Sequence, residues 1–268
     1  MLNEKKRSGL ILLTAPHISA PHAFTTRFGG VSRGPYESLN LGLNVGDNPE
    51  SARENRRRLY RAIGAPPNTH SAMTRQVHGD HVYTLTRRDA IDTQFRSILV
   101  EADALVTDIR RVPLLIFTAD CVPILLHDPV LGIAAAIHAG WRGTVADIAG
   151  KAVDTMLNLG SDPLHIRAAI GPAISDCCFE TGADVYDAVH AMPDLDADAY
   201  ITPKKDTPGK YYISLKGINQ ARLMSRGVPD GNILTSHECT LCTDETKYWS
   251  HRHSGSLRGC QGAIIMLN

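Results

Sequence analysis

Four short apolar runs follow one another in the middle of this chain: ALVTD (104–108), VPLLIFTAD (112–120), VPILLHD (122–128) and GIAAAIHAG (132–140). Each is bounded by Asp, Pro or Gly, and each is apolar at successive positions rather than at every second one. Such runs bury both faces, so they predict strands of a covered sheet rather than half-exposed ribbons. Asp128 and Pro129 turn the chain between the last two. A hairpin-like return of this kind brings position 121 near position 138.

Around this block the pattern alternates. The stretch RFGGVSRGPYESLNLGLNVGDNP (27–49) carries too much glycine and proline turn chemistry for regular structure, and a long ordered loop of this kind is often functional. A helix is predicted next, with Asn48 as N-cap, Pro49 at the first helical position and Gly64 closing the end. It carries Arg53, Arg56, Arg57, Arg58 and Arg61, a basic run that ordinarily means a solvated face. A second helix is predicted over 144–159, where Val145, Ile148, Ala149, Ala152, Met156 and Leu157 follow helical spacing and Gly160 stops it. RAAIGPAI reads as a strand, ADVYDAVHAM and SLKGINQARLMSR as helices, and GAIIML as a final strand. The expectation is an α/β fold with mixed β-sheet flanked by helices.

Several function classes are disfavoured by composition. Lysine plus arginine equals aspartate plus glutamate at 28 each, so no global field draws the chain to nucleic acid or an anionic membrane. A small ligand is expected. With 268 residues and 43% hydrophobic content, a substantial core can form without disulfide staples. The six cysteines therefore point to a reducing compartment, the cytoplasm. The start, MLNEKKRSGLILLTAPH, sets an apolar stretch of only about six residues behind basic ones, shorter than a signal peptide's hydrophobic region.

Three soft ligands stand out: His78 in QVHGDHV, Cys121 in FTADCVPILL and His138 in AAIHAGWRGT. Taken singly, a histidine among twelve is a surface or core residue, and a cysteine is a small buried hydrophobe. The neighbourhood separates this trio from the rest: Asp120 beside Cys121, and Gly140, Trp141, Arg142 and Gly143 just after His138. Two imidazoles and one thiolate suit zinc with an open fourth position. The ligands lie 43 and 17 positions apart, too far for a finger or ribbon, so separate elements must converge on one point.

These segments, with TTRFGGVSRGPYESLNLG (25–42), GDNPESARENRRRL (46–59), EADALVTD (101–108), IGPAISDCCFE (170–180) and SHRHSGSLRG (250–259), resemble the YfiH or laccase-domain family, once called polyphenol oxidases and now read as zinc-dependent purine nucleoside enzymes. The resemblance runs from about residue 24 to the end. It implies a lead-in over 1–23, a single layered catalytic domain over 24–268, and one zinc ion per chain on His78, Cys121 and His138. It also implies two reactions: phosphorolysis of adenosine, inosine or methylthioadenosine, and hydrolytic deamination of adenosine. The partners would be purine nucleosides and phosphate, with oligomeric state open. Zinc lowers the pKa of a coordinated water towards about 7, which suits attack on C6 of adenine. The glutamate of the H-x-E and P-C-x-x-C deaminase arrangement is lacking, so Asp120 and Asp103 are the candidate proton carriers or orienters of a ligand histidine. Phosphate would fall to Arg27, Arg56 and Arg142, since guanidinium binds it bidentately. Arg56 matches the family's Asn-Arg pair with Asn55, Gly29 and Gly30 could add backbone N–H groups, and Asn40 and Arg252 complete the substrate-binding candidates.

Ser250, His251, Arg252 and Arg258 fall in the family's carboxy-terminal region, but the order Arg258-Gly259 departs from its pattern and leaves the role of Arg258 open. Cys239 and Cys242 form a CxxC whose remaining partners are Cys260 and the adjacent Cys177 and Cys178. Adjacent cysteines rarely chelate one tetrahedral ion together, so a structural role near the core is expected. Three other functions compete with the nucleoside reading. A copper polyphenol oxidase would need several HxH pairs, whereas only His251 and His253 form one. A cysteine amidase editing cell-wall precursors would use Cys121 as nucleophile and His138 as base. A metal-binding interaction module would bind nucleosides without turnover.

Overall fold

The computed structural model describes residues 1–87, 100–244 and 246–268. In chain order the elements are β1 (Asn3–Arg7), β2 (Leu10–Thr14), β3 (His22–Thr25), α1 (Pro49–Ala62), β4 (Val82–Thr84), β5 (Ala104–Thr107), β6 (Leu114–Thr118), β7 (Val122–Asp128) and β8 (Ile133–Ala139). They continue with α2 (Trp141–Val145), α3 (Ile148–Asn158), β9 (Arg167–Ile170), β10 (Glu180–Thr181), α4 (Ala183–His190), β11 (Ile201–Pro203) and β12 (Tyr211–Ile213). The last are α5 (Leu215–Ser225), β13 (Ile233–Thr235), α6 (His251–Ser254) and β14 (Gln261–Ile265).

The four central runs are strands β5 to β8, but they divide between two sheets. One sheet has the order β1-β2-β3-β14-β6 and is antiparallel throughout. The other has the order β13-β9-β7-β8-β5-β4 and is mixed, with β4·β5 and β9·β13 parallel. A small third sheet joins β10, β12 and β11. Alternating side chains explain why the central runs are apolar on both faces. Leu125, Ala134, Ala136 and Leu105 meet Leu114, Ile116, Ala263 and Ile265 of the facing sheet. Ile124, Leu126, Ala135 and Ile137 turn outwards onto α3, α4 and α5. Leu115 and Ile264 turn the other way, onto Leu59 and Tyr60 of α1. The result is four layers, helix on sheet on sheet on helices, and every central strand is covered twice.

Local chemistry sets the element ends. Asn48 caps α1 by accepting from the Glu50 N–H at 2.8 Å, with Pro49 following, an interaction worth about 0.5–2 kcal/mol. In the β7–β8 hairpin Asp128 Oδ1 accepts from the Val130 and Leu131 N–H groups, and the register sets Val122 opposite Ala139 and Pro123 opposite His138.

The helix predicted over 144–159 is two helices. Asp147 between them sits at φ 62°, in the left-handed region that costs a non-glycine residue about 1–2 kcal/mol. Its carboxylate offsets that cost by accepting from the Gly150 N–H at 3.2 Å and pairing with Arg226 at 2.7 Å. The basic and apolar start of the chain is a hairpin: β1 and β2 pair from Asn3–Thr14 to Arg7–Leu10 around Ser8 and Gly9, both at positive φ. β1 carries only exposed charged or polar side chains on the sheet edge, a pattern that discourages strand addition. Among the described residues no helix is long and apolar enough to cross a membrane.

Candidate active site

His78, Cys121 and His138 converge, their ligand atoms all lying within 4.8 Å of one another. His138 comes from the end of β8, on the face that Ala134 and Ala136 turn towards the other sheet. Cys121 lies in the short turn by which the chain leaves β6 and enters β7. His78 precedes β4 and adopts φ 60°; its ring meets that of His138 edge to face, with centroids 4.9 Å apart. Gly140 follows from this crowding: a Cβ there would lie 3.0 Å from His78 Cδ2 and 3.4 Å from Cys121 Sγ. The glycine after His138 leaves room for the other two ligands.

Two aspartates flank the trio and do different work. Asp103 is fully buried just before β5 and accepts four hydrogen bonds. They come from the N–H groups of Val77 (3.1 Å), His78 (3.0 Å) and Gly79 (2.8 Å), and from His138 Nδ1 (2.8 Å). Burial opposes its charge, but His138 and these N–H groups outweigh it and hold the carboxyl below the usual range. Asp103 thus fixes the tautomer of His138, leaves Nε2 facing the other two side chains, and pins His78 in its left-handed turn; it orients both histidines of the trio. Asp120, at φ 86°, points away from the centre. Its Oδ1 accepts from Thr240 Oγ1 at 2.6 Å, and its Oδ2 from Ser250 Oγ at 2.9 Å and the Arg252 N–H at 2.7 Å. Its carboxylate ties the Cys121 turn to the start of α6.

Burial alone would push the Cys121 thiol up, but the charge of His138 and hydrogen bonds from His138 and His78 hold it well below a free thiol. Burial likewise opposes the charge on His138, and the charge of Cys121 together with the Asp103 hydrogen bond raises it above an ordinary imidazole. A site that concentrates thiolate and imidazole in this way is prepared for a soft divalent cation, which takes the place of the protons.

The trio forms one wall of a cavity of about 870 Å³, ample for a purine nucleoside. Arg56 and Arg258 line the same cavity, with Phe117, Thr118, Gln76, Asn44 and Glu101. Arg56 is 9% exposed; its Nε donates to the Leu41 carbonyl at 2.9 Å and its guanidinium lies 4.9 Å from the centre of the Phe117 ring. Among the described residues no carboxylate pairs with it. Burial draws its pKa down. A buried guanidinium with no carboxylate partner among the described residues is expensive without an anion, which makes this wall, beside the trio, a candidate anion position. Arg258 Nη1 donates to the Gly259 carbonyl at 2.9 Å, while its buried Nε has no hydrogen-bond partner.

The neighbouring residue of the Asn-Arg pair has a separate task. Asn55 accepts from the Val31 N–H and donates to Ser32 Oγ and to the carbonyls of Ser38 and Asn40, stapling the glycine-rich loop to α1. Asn40, fully buried, holds Asp47, Gly42 and the Cys260 N–H, so it shapes the cavity rim from behind. The Gly30 N–H is committed to Ser38 Oγ, and a Cβ at Gly30 would lie 2.0 Å from the Ser38 carbonyl oxygen; the Gly29-Gly30 pair serves close packing.

The other arginines singled out in the sequence lie elsewhere. Arg27 donates to the Glu37 carbonyl and stacks on Trp249 in a separate depression. Arg142 folds over Trp141 on α2, and Arg252 donates to the Glu180 carbonyl over Phe179. Neither is on the wall of the metal-site cavity. Gln76 was not singled out in the sequence. Its amide makes a reciprocal pair with the Phe117 backbone at 2.8 Å in each direction, anchoring the strand beneath Arg56. Its place two residues before His78 was the available signal.

Comparison with known proteins follows the same line. Residues 21–268 match the family model described as multi-copper polyphenol oxidoreductase laccase. A Deinococcus radiodurans protein named purine nucleoside phosphorylase is 39% identical over 97% of this chain and 94% of its own length. A protein from an unknown prokaryotic organism named adenosine deaminase RL5 is 36% identical over 90% of this chain and 92% of its own. The crystal structure of Bacillus licheniformis hypothetical protein YfiH superposes with a TM-score of 0.90 at 32% identity, covering 97% of both chains.

Proposed function

Since the chain belongs to the multi-copper polyphenol oxidoreductase laccase family, whose relatives here carry nucleoside-enzyme names, we propose that it is a zinc-dependent purine nucleoside phosphorylase that also deaminates adenosine. The observation that carries this reading is the shared cavity: a three-residue His, Cys, His cluster on one wall and, on another, a buried guanidinium with no carboxylate partner among the described residues. A soft cation and a dianion are the two things such walls hold. Electron relay to dioxygen needs several copper centres with imidazole ligands. Among the described residues the convergent ligand groups are this trio and a set of four cysteines, so the copper-oxidase reading finds no second imidazole centre.

When bound, zinc on these three ligands supplies the Lewis acidity that makes water nucleophilic at neutral pH. The chain's own residues do the rest. Asp103 keeps His138 Nε2 turned to the centre, and His78 and Cys121 complete the ligand set. Arg56, with Arg258, holds phosphate; an oxygen of that dianion attacks the anomeric carbon, the C1′–N9 bond breaks, and the purine leaves with the electron pair and takes a proton. In deamination water adds at C6 and ammonia departs. Asp120 is assigned no proton step, because three hydrogen bonds already occupy its oxygens.

The test is chromatographic. Zinc-loaded wild-type protein and Cys121→Ala are incubated with adenosine, with and without phosphate, and adenine, ribose 1-phosphate and inosine are separated. Phosphate-dependent adenine and phosphate-independent inosine, both lost in the variant, are expected. The lowered Cys121 thiol beside His138 also fits a cysteine amidase. Hydrolysis of amino-acid-bearing substrates that survives zinc chelation, with no product from adenosine, would favour that reading instead.

A further inference from the structure

A second group of soft ligands lies outside the cavity, and the topology explains how it forms. β9 and β13 are parallel neighbours, with Ile170 opposite Thr235, so the loops that follow them leave from the same edge of the sheet. One loop carries the adjacent Cys177 and Cys178; the other carries Cys239 and Cys242. Ser236 donates to the Ile170 carbonyl, Ala173 and Cys239 form a bridge, and Thr240 donates to the Ala173 carbonyl, zipping the loops together. The four sulfurs then all lie within 4.8 Å of one another, with Cys177 and Cys242 at 3.5 Å. A tetrahedron with metal–sulfur bonds of about 2.3 Å has edges of about 3.8 Å, inside that range. A pair of disulfides would need sulfurs paired at about 2.05 Å and gives no reason for all four to meet at one point. The adjacency of Cys177 and Cys178, which in sequence argues against joint chelation, is overcome here by the turn that carries them.

Two features beyond the cysteines fit a bound cation. The Ser175 N–H donates to Cys239 Sγ at 3.4 Å, an interaction that stabilises thiolate and so a metal–thiolate bond. Lys216, 7% exposed, donates from Nζ to the carbonyls of Ser236 (2.8 Å) and Glu238 (3.1 Å), within the same loop. Among the described residues no carboxylate pairs with it. Four thiolates around a divalent cation carry a net double negative charge, which gives this buried ammonium its counter-charge. We propose that Cys177, Cys178, Cys239 and Cys242 bind a structural zinc ion with closed four-sulfur coordination. Binding releases the thiol protons to solvent and involves no oxidation. The ion ties together two loops, one of which presents Thr240 to Asp120, the residue before the ligand Cys121.

This inference does not depend on the nucleoside reading, and metal content separates the two. Protein purified under reducing conditions without chelator is expected to hold about two zinc ions per chain, and Cys121→Ala about one. Cobalt substituted into Cys121→Ala should give the intense visible bands and thiolate charge transfer of a tetrahedral four-sulfur site. Cys242→Ser, which changes a single exposed ligand, should also hold about one ion, with the four-sulfur spectrum lost. About one zinc in wild type and none in Cys121→Ala would overturn the proposal, as would iron in place of zinc. So would a mass about 4 Da below the fully reduced chain, the mark of two disulfides. If Cys242→Ser fails to fold, wild type and Cys121→Ala still decide the matter.

Discussion

Replacing Asp103 by Asn changes neither volume nor shape, yet it should loosen the whole centre. In the wild type Oδ1 accepts from the His78 N–H and His138 Nδ1, and Oδ2 accepts from Val77 and Gly79. An amide offers one oxygen and one NH2, so either orientation turns donors towards two of these four donors. Hydrogen bonds to a charged group are worth about 1.5–3 kcal/mol each, so losing two costs about 3–6 kcal/mol in a fully buried place. That is a large part of the roughly 5–15 kcal/mol that holds a domain together. Loss of a residue that orients a ligand histidine lowers metal affinity about 10–100-fold. The assays are denaturant unfolding of the metal-free protein and zinc titration against a competing chelator, for wild type and Asp103→Asn. The expected result is a fall in both stability and affinity. A variant that unfolds within about 1 kcal/mol of wild type, binds zinc as tightly and loses only kcat would refute the orienting role and make Asp103 a proton carrier.

Arg56→Met keeps the buried stem but removes the charge, and should raise the KM for phosphate at least about 10–100-fold while harming deamination less; steady-state kinetics of both reactions checks it, and equal loss in the two would exclude a phosphate role. His22 provides a pH test far from the centre. Burial is the main cause that draws its pKa down to about 4, and its ring is satisfied as the neutral form, accepting from the Ala15 N–H and donating to the Ala20 carbonyl. The unfolded chain therefore binds this proton more readily, so the contribution is complete above about pH 6.5 and is lost as pH falls through about 4. A shift of this size is worth about 3 kcal/mol. Denaturant unfolding of wild type and His22→Gln should show profiles that separate by about that amount in total between those pH values, at no more than about 1.4 kcal/mol per pH unit, and parallel profiles would contradict it.

Much of the layering was legible because strands buried on both faces have few ways to look in sequence. The four central runs, the Asn48-Pro49 helix start and the late helices follow from local chemistry. What periodicity missed is the break at Asp147, where helical spacing continues through a left-handed residue whose cap and Arg226 partner are tertiary. At the candidate site, the trio is recognisable because each ligand lies beside turn residues that a strand end alone does not call for. Arg56 was separated from its neighbours on α1 by the resemblance, which pairs it with Asn55, and both residues are buried on that helix. Arg258 was not readable, since its place depends on the meeting of the chain's last loop with residues 40–42. Nor could sequence say that Asp103 faces the centre while Asp120 turns away, because the φ of 86° at Asp120 directs its side chain to Thr240 and Ser250.

The turn at Cys121 carries the chain from one sheet to the other, so the cavity is a gap between layers rather than a hollow within one. His138 on its wall belongs to β8, Arg56 on the other to α1, and Arg258 to the loop before β14. Small side chains lie in the core between the two sheets, Ala134, Ala136, Ala169 and Ala263 among them. Enlarging one of these alanines would act as a wedge, changing how far a phosphate sits from a nucleoside without altering any residue that touches either.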